Sequence, residues 1–469
     1  MAASSTVAAE ASPPATVPDN PKAIQAYLAE AGVEFVRFEQ PDLHGIARSK
    51  TVPLRHFGRF ARDGLNFPLP PLALDVRCVP GRDTGYLEER GYTDSRLRPD
   101  FATVRILPWL ENTARVICDP HHVADGTPAL GGSRWAAVQL LAELDSLGFR
   151  LLSGFELEFF LVDAATGKPS YPDVRQFANL DERDRPVIYA MLRHLQAAGI
   201  DVITADQEYG AGQVEINFAA AWGRAAADDA FTFRNAVKEI ARRHGRTASF
   251  MTKPDIAESA NGCHYNHSLW RGEENAFADP DGPRGLSRTA LHFLAGQIEH
   301  AAALTAFSAP TVNCAKRYRQ NAFAPTNRSW GIENRTVAFR VKPYGHNRAH
   351  IENRLGSGAV NPYLLQAAVL AAGLDGLRRK LLPPPPVVSG PADGLSGQGS
   401  LPLRLEDSLD ALEADAVLRE ALGAELVRLF LGLKRFEVEK ARQAIADYDS
   451  PAFLERVDSW ERAEFFELL

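Results

Sequence analysis

The run Phe155-Glu156-Leu157-Glu158-Phe159-Phe160 sets two carboxylates two positions apart inside an apolar stretch. On a strand, residues i and i+2 share a face, so Glu156 and Glu158 project together while Leu157 and Phe159 point the other way. Carboxylates so placed repel each other unless a cation or basic group lies between them. Glu208 and Glu215 flank a Gly-rich turn in Glu208-Tyr-Gly-Ala-Gly-Gln-Val-Glu215, and a hairpin there returns one glutamate close to the other. His264 follows a tight turn in Asn261-Gly-Cys-His264, while Glu352 and Arg354 share a strand face. Taken singly, each has an ordinary explanation: a solvated strand face, a packed histidine, a surface ion pair. Together they are five carboxylates and an imidazole on separate elements. Mg²⁺ and Mn²⁺ prefer oxygen ligands and accept an occasional imidazole, so the set suggests a two- or three-cation site suited to holding phosphates. Arg317, Arg335 and Arg340 supply guanidiniums that can clamp carboxylate and phosphate oxygens.

The elements that must carry these residues follow from periodicity. Arg150 to Leu161 is a strand candidate, with further strands around Gln213 to Phe218, Ala248 to Lys253 and Val337 to Val341. Helical spacing covers Trp135 to Leu147 with Ser133 as its cap, Val187 to Ala198, Ala225 to His244, Ser287 to Phe307 and Pro362 to Arg379. The Pro- and Gly-rich tract Leu382 to Pro402 reads as a loop, and the Leu-rich segment from Leu403 as helical. Ahead of this region, Asn20-Pro21 caps a short helix, and Glu34 to Phe38 with Ala47 to Val52 form a hairpin across the turn Asp42-Leu-His-Gly45. The first 120-odd residues are therefore sheet-dominated, after a disordered Ala/Ser/Pro-rich tail at 1–20.

Length and composition narrow the class. The 469 residues, 45% hydrophobic, predict two to four domains with real cores. A net charge of −7 without a basic cluster argues against a nucleic-acid or membrane surface. No membrane-length apolar run or signal peptide is found, so a cytoplasmic location is expected. Four scattered cysteines offer neither a disulfide framework nor a thiolate metal knuckle. No Walker loop and no Gly-x-Gly-x-x-Gly after a strand occurs, which disfavours P-loop ATPases and Rossmann dehydrogenases.

The order of five blocks resembles the glutamine synthetase family from about residue 33 to the C-terminus. The blocks are the 155–160 run, the 208–215 turn, Asn261-Gly-Cys-His264, Asn334-Arg-Thr with Phe339-Arg340, and Ile351-Glu-Asn-Arg-Leu355 followed by Asn361-Pro-Tyr-Leu364. The likeness is strongest to the branch called type III glutamate–ammonia ligase or γ-glutamylmethylamide synthetase. It implies an α+β fold: a small β-grasp-like domain at 21–125 and a glutamine-synthetase-type catalytic α/β domain at 126–469. It implies that Glu158, Glu208 and Glu215 hold one Mg²⁺ or Mn²⁺ ion, and Glu156, His264 and Glu352 a second. Arg317 and Arg354 would hold L-glutamate, near Asn261 and Gly262. Arg335 and Arg340 would hold the ATP phosphates, with Ser268 and Asn266 at the nucleotide. Asp42 would reach a neighbouring subunit's amine site and take up a proton, in a homo-oligomer that is a dodecamer of two hexameric rings.

The resemblance also implies a two-step reaction: ATP phosphorylates the γ-carboxylate of glutamate, then an amine attacks the acyl phosphate, releasing ADP and phosphate. Phe323 stands where ammonia-using members carry a glutamate. A phenyl ring accepts no proton and makes the amine pocket more apolar, which favours an organic amine over ammonia. The alternatives are a glutamine synthetase using ammonia, and a catalytically silent oligomer.

Overall fold

The computed structural model describes residues 20–469 apart from 172, 174, 175, 396 and 398. The tail expected at 1–20 lies outside the described residues except for Asn20, whose side chain accepts the Ala23 N–H and caps α1 (Pro21–Glu30). The first sheet contains β1 (Phe35–Pro41), β2 (Ala47–Pro53), β3 (Leu65–Pro68), β4 (Asp94–Pro99), β5 (Arg105–Ile106) and β6 (Thr113–His122). Its order is β2-β1-β6-β4-β3, with β5 also on β6. The β1–β2 hairpin is antiparallel and β1 runs parallel to β6. Ile24 and Leu28 of α1 and Phe57 of α2 (Phe57–Asp63) close one face of the sheet over Val36, Phe38 and Val116.

The second sheet grows around β7 (Arg150–Asp163), which follows α3 (Ser133–Ser146). Ser133 is the first helical residue rather than its cap. It is buried, its Oγ has no partner, and Gly132 occupies the cap position. After α4 (Arg185–Ala197) come β8 (Val202–Gln207), β9 (Gln213–Phe218), β10 (Ala221–Trp222), α5 (Ala225–Arg243) and β11 (Arg246–Ser249). Then follow β12 (Cys263–Arg271), β13 (Glu274–Asn275), α6 (Arg288–Glu299) and α7 (Ala301–Ser308). The single helix expected over 287–307 divides at His300, whose imidazole is pinned between Asp375 at 3.0 Å and Asp415 at 2.6 Å.

Next are β14 (Trp330–Ile332), β15 (Phe339–Lys342), α8 (Gly345–Arg348), β16 (His350–Asn353) and α9 (Pro362–Arg379). The sheet order is β14-β15-β16-β12-β7-β9-β8, antiparallel except for β14 with β15. Four helices, α10 (Leu405–Ala414), α11 (Ala416–Leu422), α12 (Ala424–Ala444) and α13 (Ser459–Phe465), complete the C-terminal part. Phe155, Leu157 and Phe159 of β7 turn into the main core, where Phe159 meets Phe233 of α5. That packing orients the alternate residues, Glu156 and Glu158, to the opposite face. The four cysteines are free, and no described helix is long and apolar enough to cross a membrane.

Candidate active site

Strand register brings the acidic residues together. On one side of β7, His264 of β12 stands opposite Glu156; on the other, Glu215 of β9 stands opposite Glu158. Glu208 ends the β8–β9 hairpin, where its N–H donates to Gln213 O at 2.9 Å. Glu352 of β16 faces Asn266 of β12 and Arg340 of β15. Two triads result, Glu158/Glu208/Glu215 and Glu156/His264/Glu352, and in each the candidate ligand atoms lie within 4.8 Å of one another. Gly262 sits where the triads meet. A Cβ there would fall 3.1 Å from Glu158 Oε1, 3.2 Å from Arg317 Nη2 and 3.4 Å from His264 Nε2, so only glycine leaves that space open.

The all-carboxylate triad is poor in positive charge. Glu158 accepts from Gly262 N at 2.8 Å and Gln213 Nε2 at 3.0 Å, and Glu215 accepts from Asn217 Nδ2 at 2.8 Å. Among the described residues no lysine or arginine comes within 4.0 Å of these three carboxylates. Burial and the neighbouring Glu158 push Glu215 up to about 9. Burial and Glu208 push Glu158 up to about 7. Burial also raises Glu208, against the opposing effect of exposed Arg335. Buried carboxylates that repel one another to this degree are a donor set that divalent cations fit.

The second triad is ringed by cations. Glu352, almost fully buried, pairs with Arg340 Nη1 at 3.1 Å, Lys342 Nζ at 3.2 Å and Arg354. Burial alone would raise its pKa; His264, Arg354, Lys342 and Arg340 outweigh that and hold it well below the usual carboxylate range. His264 lies 3.2 Å from Glu156 and 3.6 Å from Glu352. Burial and Arg354 bring it down to about 4, so the ring is neutral near pH 7 with a nitrogen lone pair for a metal. This set fits a second divalent ion.

The other candidates divide. Arg317 is buried beside Glu158 and donates to Arg354 O at 3.0 Å. Arg354 also donates from Nη2 to Phe323 O at 3.0 Å. Arg340 is held by Glu333 and Glu352. Asn266 donates to Glu156 Oε1 at 2.8 Å, and Ser268 accepts from Trp270 Nε1 at 2.9 Å. His267 faces away, bonded to Tyr265 O and Gln297.

Two expected roles do not survive the geometry. Asn261 is fully buried, and its amide is consumed by Ser249 O, Met251 O and Gln213, so its side chain positions Gly262 rather than meeting a substrate. Asp42 is also fully buried. Its Oδ1 accepts from the N–H groups of His44 and Ile46 and its Oδ2 from Arg48, so it organises its own turn and has no face free for a neighbour's amine.

Sequence reasoning missed Lys342, although it shares a strand face with Arg340 two residues away. It also missed Gln213, which bridges Glu158 to Asn261, and Asp206, opposite Glu215 and raised to about 6 by burial and Glu208.

Comparisons agree with this architecture. Residues 131–452 match the family described as glutamine synthetase, catalytic domain. The chain is 36% identical to Lengsin of Canis lupus familiaris, over 92% of this chain and 75% of that one. It is 34% identical to a glutamine synthetase of Thermus thermophilus, over 91% and 97%. With a glutamate–isopropylamine ligase of Pseudomonas sp it shares 30% identity over 92% and 97%. The solved structure described as a GmaS/ADP complex superposes with a TM-score of 0.79 at 33% identity, covering 94% of this chain and 98% of that chain. Two triads on one sheet and a family match over more than half of the chain lead to one conclusion: this protein belongs to the glutamine synthetase family of ligases.

Proposed function

We propose that the chain is an ATP-dependent, ADP-forming ligase that joins the γ-carboxylate of L-glutamate to an organic amine. The observation that carries the reading is the pair of triads meeting at Gly262 with Arg317 and Arg354 beside them. Glu158, Glu208 and Glu215 would hold one Mg²⁺ or Mn²⁺ ion, and Glu156, His264 and Glu352 the other. Bound there, the cations would neutralise phosphate oxygens and the charge that develops during transfer.

Arg317 and Arg354 orient glutamate through its carboxylates, and Arg335 and Arg340 steady the phosphates. Asn266 and Ser268 line the nucleotide end. A γ-carboxylate oxygen of glutamate forms a bond to Pγ while the bond from Pγ to the ADP oxygen breaks. The amine nitrogen then bonds to the acyl carbon, the bond to phosphate breaks, and the nitrogen's proton leaves with the phosphate. The saturated carboxylate of Asp42 takes no part.

An organic acceptor is favoured by the flap Tyr318 to Pro325, which contains no carboxylate and exposes Phe323. The similarity to a protein named for isopropylamine supports the same choice. Phosphate release and product mass, measured with L-glutamate, ATP, Mg²⁺ or Mn²⁺ and either ammonium or a panel of alkyl-, aryl- and polyamines, test the reading. Organic amines should be preferred. Far better turnover of ammonium would return the protein to ordinary glutamine synthesis, and absence of any glutamate-dependent ADP formation would leave a silent homologue. A ring oligomer, a dodecamer of two hexamers, keeps only the support of family likeness; mass photometry at assay concentration tests it.

A further inference from the structure

Five aromatic side chains are at least half exposed among the described residues: Tyr92, Phe177, Tyr209, Phe323 and Tyr344. Singly exposed aromatics are ordinary, so their number says less than their placement. Only Tyr92 belongs to the N-terminal sheet unit; the other four lie on segments bonded to the site. The Phe177 N–H donates to Gln207 O at 2.9 Å, one residue before Glu208, and the Tyr209 N–H donates to Glu208 itself at 3.1 Å. Phe323 places its carbonyl on Arg354. Tyr344 stands apart on the phosphate side, its hydroxyl bonded to Glu333, the partner of Arg340.

Phe177 and Phe323 share a second property. Their φ angles are +56° and +50°, a left-handed conformation that a bulky side chain adopts at a cost and that persists where surrounding structure enforces it. They are also 67% and 61% exposed, so the enforced backbone presents each ring to the outside instead of burying it. Glutamate, phosphate and ammonium are small and ionic, and none has a use for exposed phenyl faces; the adenine of ATP, the other planar ring in the reaction, is assigned above to the end lined by Asn266 and Ser268. A second ammonium group on the acceptor would want an acid on the flap. The flap has none of its own; Asp393, bonded to its backbone, accepts the Asn321 N–H at 3.1 Å through Oδ2 and keeps Oδ1 buried, out of an acceptor's reach.

We propose that the acceptor is a primary amine bearing an aryl group, packed against Phe177, Tyr209 and Phe323 as its nitrogen reaches the acyl phosphate. The inference rests on the ligase reading above and narrows it to one acceptor class. Aromatic pairs gain from offset or edge-to-face contact, and apolar pockets discriminate substrates by about tenfold or more per added group.

The test is kcat/KM with benzylamine, methylamine, putrescine and ammonium for the full chain and for Phe323→Ala, Phe177→Ala and Phe323→Tyr. Benzylamine should be the best acceptor. The benzylamine-to-methylamine ratio should fall about tenfold in each alanine variant and stay within about threefold of the parent in Phe323→Tyr. Both rings are exposed, so neither substitution empties the core. A ligase that prefers putrescine, methylamine or ammonium overturns the inference and leaves the ligase reading standing. So does an unchanged ratio in the alanine variants, including one accompanied by loss of assembly on size exclusion, which would mark these rings as subunit contacts. No turnover with any acceptor overturns both.

Discussion

The two triads share a sheet and a strand, yet their electrostatics are opposite. Glu352 is paired with Arg340, Lys342 and Arg354, while Glu215 and Glu158 accept only from amides and a backbone N–H, with Arg317 beside Glu158 but not paired to it. The cation-ringed triad is ionised and internally balanced without a metal. The all-carboxylate triad stores repulsion that protons or metal must relieve. The same residue type therefore stabilises the fold on one side of Gly262 and destabilises it on the other.

Removing the charge of Glu352 should cause the largest loss. Glu352→Gln leaves Lys342 and Arg354 without a carboxylate partner and Arg340 with Glu333 alone, and unfolding in denaturant should show a cost of about 3–5 kcal/mol even without metal. A change below about 1 kcal/mol would mean that those cations find other partners. Next in size, Glu158→Ala should lower kcat/KM for glutamate-dependent ADP formation by about 10²- to 10³-fold or more, as expected when transition-state charge loses its support. Near-parental rates would remove the metal assignment from the first triad.

Glu215→Gln sharpens the contrast in the reverse direction. In EDTA at pH 8 it should stabilise the chain by about 1–2 kcal/mol, because Glu215, raised to about 9, must take up a proton on folding at that pH and an amide need not, while abolishing stabilisation by Mg²⁺ or Mn²⁺. A destabilised variant would contradict the stored-repulsion account.

The smallest expected effect is on pH dependence. Glu215 and Glu158 titrate higher in the folded chain than the usual 4.5, so the folded state binds more protons. Their stabilising contribution is full below about pH 4.5 and is lost as pH rises toward about 7 and 9. The melting temperature in EDTA should fall across that interval, and the fall should shrink with Mn²⁺ added. An identical slope with and without metal would show that other groups set it.

Much of the site was legible before folding because alternation is a local property. Glu156 and Glu158 must share a face on any strand, and the turn between Glu208 and Glu215 must bring them close. The helix at Pro362–Arg379 was readable to the residue, since Asn361 caps it and Pro362 starts it. The break at His300 was not, because Asp375 and Asp415, far along the chain, set it.

Asp42 shows the converse limit. An Asp-x-x-Gly turn has one local geometry whether its carboxylate faces out or in, and burial beneath the rest of the chain decided that it faces in.

The sequence by itself determined which residues could be ligands and which faces they share, because strand and turn geometry act over a few residues. Tertiary structure alone decided how they divide into two triads, since register between distant strands pairs Glu158 with Glu215 and His264 with Glu156. It also decided which carboxylates carry charge: that depends on burial and on cations brought from β15 and β16, and no local pattern records either.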